Sequence, residues 1–371
     1  MLAGKLVSRS MRDANASLFT ILATYCEKRN DPISDTSFPR WVQSNKTEKE
    51  WLKYISVLSF LGFGRHRYLT WLELGEDGPH YIGLVGFEYD PDYPELPLIE
   101  VNSGLTVSLI SELGIQPNVP TGVVRNVVEV GAMGDPGYEG HDHSQVASLF
   151  PTVKALRSES PLDNTTVWPT FLRLSVDECR LGSSWIDDEL AASLSTLADL
   201  NVPSLPYAEL CRSVFDLDPR SLFMSLYRCI EATYAYDTSS KLGTALALEL
   251  PWHEIAAVLE SKIGWHPQEA SSLNVALKQA NRADLAKICR WLESGPKADP
   301  DDSKEITRLS ELEAMDELDV LAGRAIYKLR NQIVHYRPSE ESLDITAINW
   351  NPLCNALVSV ALDVFSHAYS G

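Results

Sequence analysis

The 371-residue chain has no Cys-x-x-Cys pair; its six cysteines, Cys26, Cys179, Cys211, Cys229, Cys289 and Cys354, are dispersed. Such spacing excludes a zinc ribbon and a paired redox motif, and several of these cysteines lie inside apolar helical pattern, as reduced core thiols do. Long apolar runs are missing too. The longest, residues 55–63 and 357–365, fall short of the roughly eighteen residues a membrane span needs. The first twenty residues lack the basic start, apolar middle and small-residue cleavage site of an export signal, so a cytoplasmic protein with no membrane partner is expected. Positive charge is scarce: 32 Lys and Arg stand against 51 Asp and Glu, a net charge of −19. A protein that coats itself with nucleic acid is thereby excluded, because counterion release needs clustered cations. There is no Gly-x-x-x-x-Gly-Lys-Ser/Thr loop and no strand-linked Gly-x-Gly-x-x-Gly, which leaves nucleotide hydrolysis and dinucleotide binding without support.

What is present is ordinary globular composition, 44% hydrophobic and 22% charged, in a chain long enough for two cores. The expected fold class is α+β: an N-terminal mixed α/β domain over residues 1–215, followed by an all-α helical bundle over residues 216–371. In the first part helices are predicted near residues 11–28 and 47–60, with strands at 68–74, 81–89, 123–130 and 167–176. The glycine-rich residues 131–143 read as a mobile loop, and a further helix is expected over 184–200. Beyond Asp216 the period is helical. Asp218 and Pro219 supply an N-cap and a first-turn proline for a helix to about residue 236. More helices are expected over 241–263, kinked or broken at Pro251 and stopped by Gly264, and over 267–293, 303–337 and 351–369. That makes a bundle of about five.

Along the helix expected over 303–337, Ile306, Leu309, Leu312, Leu318, Leu321, Ala325, Ile326, Leu329 and Ile333 form one apolar stripe. At roughly 100° per residue, Arg324, Asn331 and His335 fall opposite it, flanked by Lys328 and Arg330. On that strip Val320, Tyr327 and Val334 recur at seven-residue spacing, which suggests a second packing seam against another copy of the chain. Residues 321–337 hold Arg324, Lys328, Arg330 and Arg337 and no acid, whereas 299–319 hold nine acidic residues against Lys304 and Arg308.

Leu329-Arg330-Asn331-Gln332-Ile333-Val334-His335-Tyr336 resembles the HEPN signature: an Arg, four to six residues of which the first is polar, and a His, on a late helix of a helical bundle. The resemblance covers the C-terminal part only. It implies a homodimer in which two such motifs meet and cleave RNA without metal or cofactor, in toxin, phage-defence or CRISPR-linked settings. The toxin subgroup with a Tyr two residues after the His is not matched, because position 337 is Arg. An unregulated ribonuclease poisons its host, so the N-terminal domain is expected to sense a trigger ligand, restrain the nuclease or hold a partner such as an antitoxin.

Residue chemistry points the same way. Cleaving RNA through its own 2′-hydroxyl needs one group to take that proton and one to protonate the leaving 5′-oxygen, and His335 suits both roles near neutrality. Arg330 can meet the charge that gathers on the non-bridging oxygens. Asn331, four residues before His335, can orient the imidazole or hold a phosphate oxygen. Arg324, Lys328, Tyr336 and Arg337 are the expected RNA contacts. The same cations also suit a structural place near a helix C-terminus, which favours positive charge; the competing reading is a non-catalytic helical dimerisation or nucleotide-binding module. Elsewhere, His141 and His143 with Asp135 and Glu139 offer part of a divalent-metal set, without an identifiable further ligand. Glu100-Val101-Asn102 lacks the Lys that a metal-dependent nuclease core would place two positions after the Glu. Arg228 and Glu231 read as an intrahelical pair, though a bundle helix could bring them near the cleft.

Overall fold

The computed structural model describes residues 11–181, 185–202, 204–293, 302–335 and 348–369. The chain divides into two compact units, residues 1–167 and 168–371.

The first unit runs α1 (Met11–Glu27), α2 (Lys46–Tyr54), β1 (Ile55–Gly62), β2 (Tyr68–Leu74), β3 (His80–Val85), β4 (Leu98–Ile99), α3 (Ser103–Leu113), α4 (Thr121–Val128), α5 (His143–Ala147) and β5 (Val153–Arg157). Its strands form one antiparallel sheet in the order β1-β2-β3-β5-β4. β2 and β3 pair from Tyr68 opposite Val85 to Glu73 opposite His80, the hairpin expected from their aromatic and β-branched runs. Leu18 and Leu22 of α1 join Leu105, Leu109 and Ile110 of α3 and Leu72 and Tyr81 of the sheet in the main core.

Three expectations for this region are corrected. Residues 123–130 are not a strand: Val124 and Val128 of α4 are buried at a spacing of four while Val123 is 43% exposed, a helical pattern hidden in a short valine-rich run. The helix expected to reach residue 60 stops at Tyr54, and β-branched Ile55 and Val57 open β1. Residues 131–143 are pinned instead of loose. Met133 N–H bonds to the Pro39 carbonyl, His141 N–H to Trp41, and Gln43 N–H to His141.

The second unit comprises α6 (Val167–Leu181), α7 (Asp188–Asp199), α8 (Tyr207–Phe215), α9 (Pro219–Glu231), α10 (Tyr236–Ala245), α11 (Trp252–Ile263), α12 (Glu269–Leu277), α13 (Arg282–Glu293), α14 (Asp302–Glu313), α15 (Leu318–Val334) and α16 (Trp350–Tyr369). α6 occupies residues expected to be a strand. It is buried almost all round, with Phe171, Leu172, Leu174 and Val176 inside, whereas Leu172-Arg173-Leu174-Ser175-Val176 alternates apolar and polar as a strand does. Pro169 in its first turn was the contrary signal, being unsuited to a central strand. α6, α7 and α8 pack with the helices that follow. Asp187 N–H donates to Asn351 Oδ1 of α16 (3.1 Å) and Asn355 of α16 donates to Glu189 (2.7 Å). The division between the two compact units falls at residue 167.

Asp218 caps α9 and Pro219 is its first residue, as expected. Gly264, at φ 64°, ends α11 in the left-handed conformation that glycine adopts without strain. The helix expected over 303–337 is two, broken between Glu313 and Leu318. No glycine or proline marks this break. Arg282 of α13 holds it, donating to the carbonyls of Glu313 and Met315 at the exposed end of α14. The apolar stripe divides accordingly: Leu318, Ile326 and Leu329 are fully buried, but Ile306 is 65% exposed. Arg282→Ala should lower stability by about 0.5–1.5 kcal/mol, read as a lower urea midpoint; an unchanged midpoint would remove Arg282 from this role.

All six cysteines are buried thiols. Among the described residues no helix is long and apolar enough to cross a membrane.

Candidate functional site

α15 buries Leu318, Ala322, Gly323, Ile326 and Leu329 against the bundle, so its remaining faces carry the charged groups. Arg324 and Lys328 are exposed, and Asn331 is half-buried. The helix ends at Val334. His335 is its C-cap, with extended backbone (φ −115°, ψ 116°) and its N–H bonded to the Asn331 carbonyl at 2.8 Å; its side chain is exposed. Tyr336 and Arg337, expected to contact RNA, lie outside the described residues.

Arg330 is placed differently from its neighbours. Its side chain is only 20% exposed and turns inward, Nε lying 3.2 Å from Glu269 Oε1 of α12. Nε meets that oxygen as an ion contact without hydrogen-bond alignment, while Nη1 donates to Asn331 Oδ1 at 3.0 Å. The guanidinium also sits 5.9 Å from the centre of the Tyr227 ring of α9, within cation–π range. Behind it runs a polar relay: Tyr234 OH donates to Tyr227 OH (3.2 Å), which donates to Glu269 Oε1 (2.7 Å). Burial and these partners push the Tyr227 phenol well above its usual range. Glu231 of α9 joins the cluster, its carboxyl raised by burial and by the Glu269 charge and lowered in turn by Arg330. Glu231 thus faces Arg330 and Glu269 and is not simply an intrahelical partner of Arg228.

The geometry links Glu269, Arg330 and Asn331 in one chain of contacts, with His335, the C-cap, four residues beyond Asn331. Within one copy Arg330 turns to Glu269 and Asn331, and no contact with His335 is found among the described residues. Val334, the last residue of the expected seam, is 47% exposed, and Val320 and Tyr327 are half-buried. The sequence reading missed Tyr227, Tyr234 and Glu269. Tyr227 and Glu231 did lie four residues apart on α9, with Tyr234 in the turn that follows it. Glu269 had no such signal.

The histidine pair of residues 131–143 is not an exposed ligand set. His141 is 3% exposed, packed against Phe19 and Tyr138 at ring distances of 5.1 and 5.3 Å. His143 Nε2 meets Thr106 Oγ1 at 2.9 Å, Asp142 caps α5, and Asp135 accepts the Ala132 N–H. Among the described residues no group of three or more His, Cys, Asp or Glu is arranged to hold a metal. Burial lowers the His141 pKa to about 4, with the Arg40 charge adding to it. A depressed imidazole pKa means that the unfolded chain takes up the proton first. Stability is therefore complete above pH 6.5 and falls as the pH drops from there towards 4. Between pH 7 and pH 5 the loss from this residue should be about 2 kcal/mol, measured as the urea-midpoint difference that His141→Phe removes. An equal slope in that variant would assign the pH dependence elsewhere.

Glu100-Val101-Asn102 has a structural explanation, because Asn102 caps α3 by accepting the Leu105 N–H. No family model, characterised protein or solved structure matches this chain.

Proposed function

We propose that the second unit is a HEPN-like bundle acting as a metal-independent endoribonuclease, formed at a two-fold interface between copies of the chain along α15. The observation that carries this reading is an exposed imidazole at the C-cap of α15, one turn from an Asn331 that the anchored Arg330 already holds. Exposed Arg324 and Lys328 on the same helix supply phosphate contacts in a chain that is otherwise strongly acidic.

A guanidinium has five N–H donors. With Nε facing Glu269 and one Nη1 donor on Asn331, others remain for the two non-bridging oxygens of a scissile phosphate. Within its own copy Arg330 is turned to Glu269 and Asn331, and a two-fold relation along α15 brings His335 of one copy towards Arg330 of the other. One neutral imidazole then takes the 2′-hydroxyl proton as that oxygen attacks phosphorus. The imidazolium so formed then gives that proton to the departing 5′-oxygen. The products are a 2′,3′-cyclic phosphate and a 5′-hydroxyl, and no water is consumed in this step. In this reading the protein is cytoplasmic and the first unit regulates the nuclease through a trigger or a bound antitoxin.

A second reading is favoured by the Glu269 contact itself. A carboxylate that neutralises Arg330 and is held by Tyr227 makes a structural brace, in a bundle that dimerises or binds nucleotides without catalysis. Labelled RNA incubated with the purified full chain in EDTA separates the two. Fragments ending in cyclic phosphate are the expected result, and RNA left intact with and without cell extract as a source of the trigger would favour the brace.

A further inference from the structure

The first unit contains a cleft of about 1270 Å³ between α1, α2 and the segments around residues 33–45 and 133–143. Small-molecule sites commonly span about 300–1,000 Å³, so this one is roomy enough for a ligand of nucleotide size. One wall is the extended segment 41–45. Val42 points into the core at 1% exposure, its N–H bound to Asn15 Oδ1 at 2.8 Å. Alternation along an extended backbone then turns Trp41, Gln43 and Asn45 the other way, and all three line the cleft.

These three side chains are fixed by their own bonds. Trp41 Nε1 donates to the Glu139 carbonyl (3.0 Å) and Gln43 Nε2 to the Gly140 carbonyl (3.1 Å), which leaves the Gln43 amide oxygen as an acceptor. Asn45 Oδ1 accepts the Glu48 N–H (3.0 Å), which leaves its NH2 as a donor. Gly140 permits this arrangement: at φ 107° it holds a conformation that disfavours other residues, and a Cβ there would lie 2.5 Å from Trp41 Nε1. Phe38, 52% exposed, adds a second aromatic surface.

The charges are uneven in availability. Arg40 is held by the carbonyls of Val128, Ser34 and Asp35, which fix the guanidinium without neutralising it, and Arg12 and Lys49 are exposed on the same cleft. Of the three carboxylates lining it, Glu48 accepts the Asn45 N–H in a capping box, Asp142 caps α5 through Gln145 N–H and Ser144, and Glu139 is exposed. With Glu48 and Asp142 committed to helix termini, Arg12, Arg40 and Lys49 stand against Glu139 alone, so the cleft favours an anion although the chain carries −19.

Aromatic faces, an acceptor beside a donor, and cations at the rim are together the complement of a nucleoside phosphate. We infer that this cleft binds a free nucleoside monophosphate, the base against Trp41 and Phe38 with its edge read by Gln43 and Asn45, and the phosphate met by Arg12 and Lys49. The inference does not depend on the ribonuclease reading, and its test is binding alone. Titration calorimetry of the full chain with AMP, GMP, CMP and UMP should show one-to-one binding of at least one of them, about tenfold tighter than of its nucleoside. Phe38→Ala, and separately the double variant Arg12→Ala/Lys49→Ala, should each weaken it at least about tenfold. All three positions are exposed, so unchanged circular dichroism is expected in both variants. Absence of heat with all four nucleotides at millimolar concentration would overturn the inference, as would affinity unchanged in both variants. So would tighter binding of a 5′-phosphorylated oligonucleotide, which would make the ligand a strand instead of a free nucleotide.

Discussion

His335→Ala is expected to slow RNA cleavage by about 100- to 10,000-fold while leaving Tm unchanged. The imidazole is the group assigned both proton transfers, and removal of a general acid or base has an effect of that order. The fold has no matching stake in it. Its side chain is exposed beyond the last turn of α15, and the cap bond from His335 to Asn331 is made by backbone atoms that alanine also has. Gel assays of labelled RNA beside thermal melts read the two quantities separately. Cleavage persisting within a few-fold of the parent would remove His335 from the chemistry.

Arg330→Ala is expected to affect both. Loss of the guanidinium removes the donors assigned to the phosphate, about 100- to 1,000-fold in rate. It also leaves the Glu269 carboxylate facing Tyr227 and Glu231 with no cation, at a cost of about 1–3 kcal/mol. The exposures of the pair, 20% and 29%, keep that cost below that of a fully buried ion pair. Arg330→Lys separates the two contributions. A lysine keeps the charge opposite Glu269 but has neither the fork nor the reach to hold Asn331 and a phosphate together. Stability should largely return and cleavage should not. If lysine restored both, Arg330 would be acting as a point charge; if alanine changed neither, the Glu269 contact would be incidental.

Much of the helical unit could be read from residues whose local chemistry dictates structure. Asp218 and Pro219 marked the start of α9, and Gly264 marked the end of α11. Where the determinant was tertiary, the sequence carried no sign of it. The break before Leu318 depends on Arg282, some thirty residues earlier, reaching two carbonyls. α4 and α6 were misread as strands because a valine-rich run and a short apolar–polar alternation fit a strand as well as a helix. At the candidate site the same distinction holds. Exposure of Arg324, Lys328 and His335 followed from the helical wheel. Capture of Arg330 by Glu269 did not, because it depends on how α12 lies against α15.

The central claim is that Arg330 and His335 serve one phosphate from two copies of the chain. Co-expression of Arg330→Ala and His335→Ala chains carrying different tags, with the mixed species purified through both, tests it directly. Each chain then lacks one group, while a shared cleft still holds one guanidinium and one imidazole. The account predicts that the mixed species recovers metal-independent cleavage that neither variant shows alone. A mixed species as inactive as its two parents would contradict it.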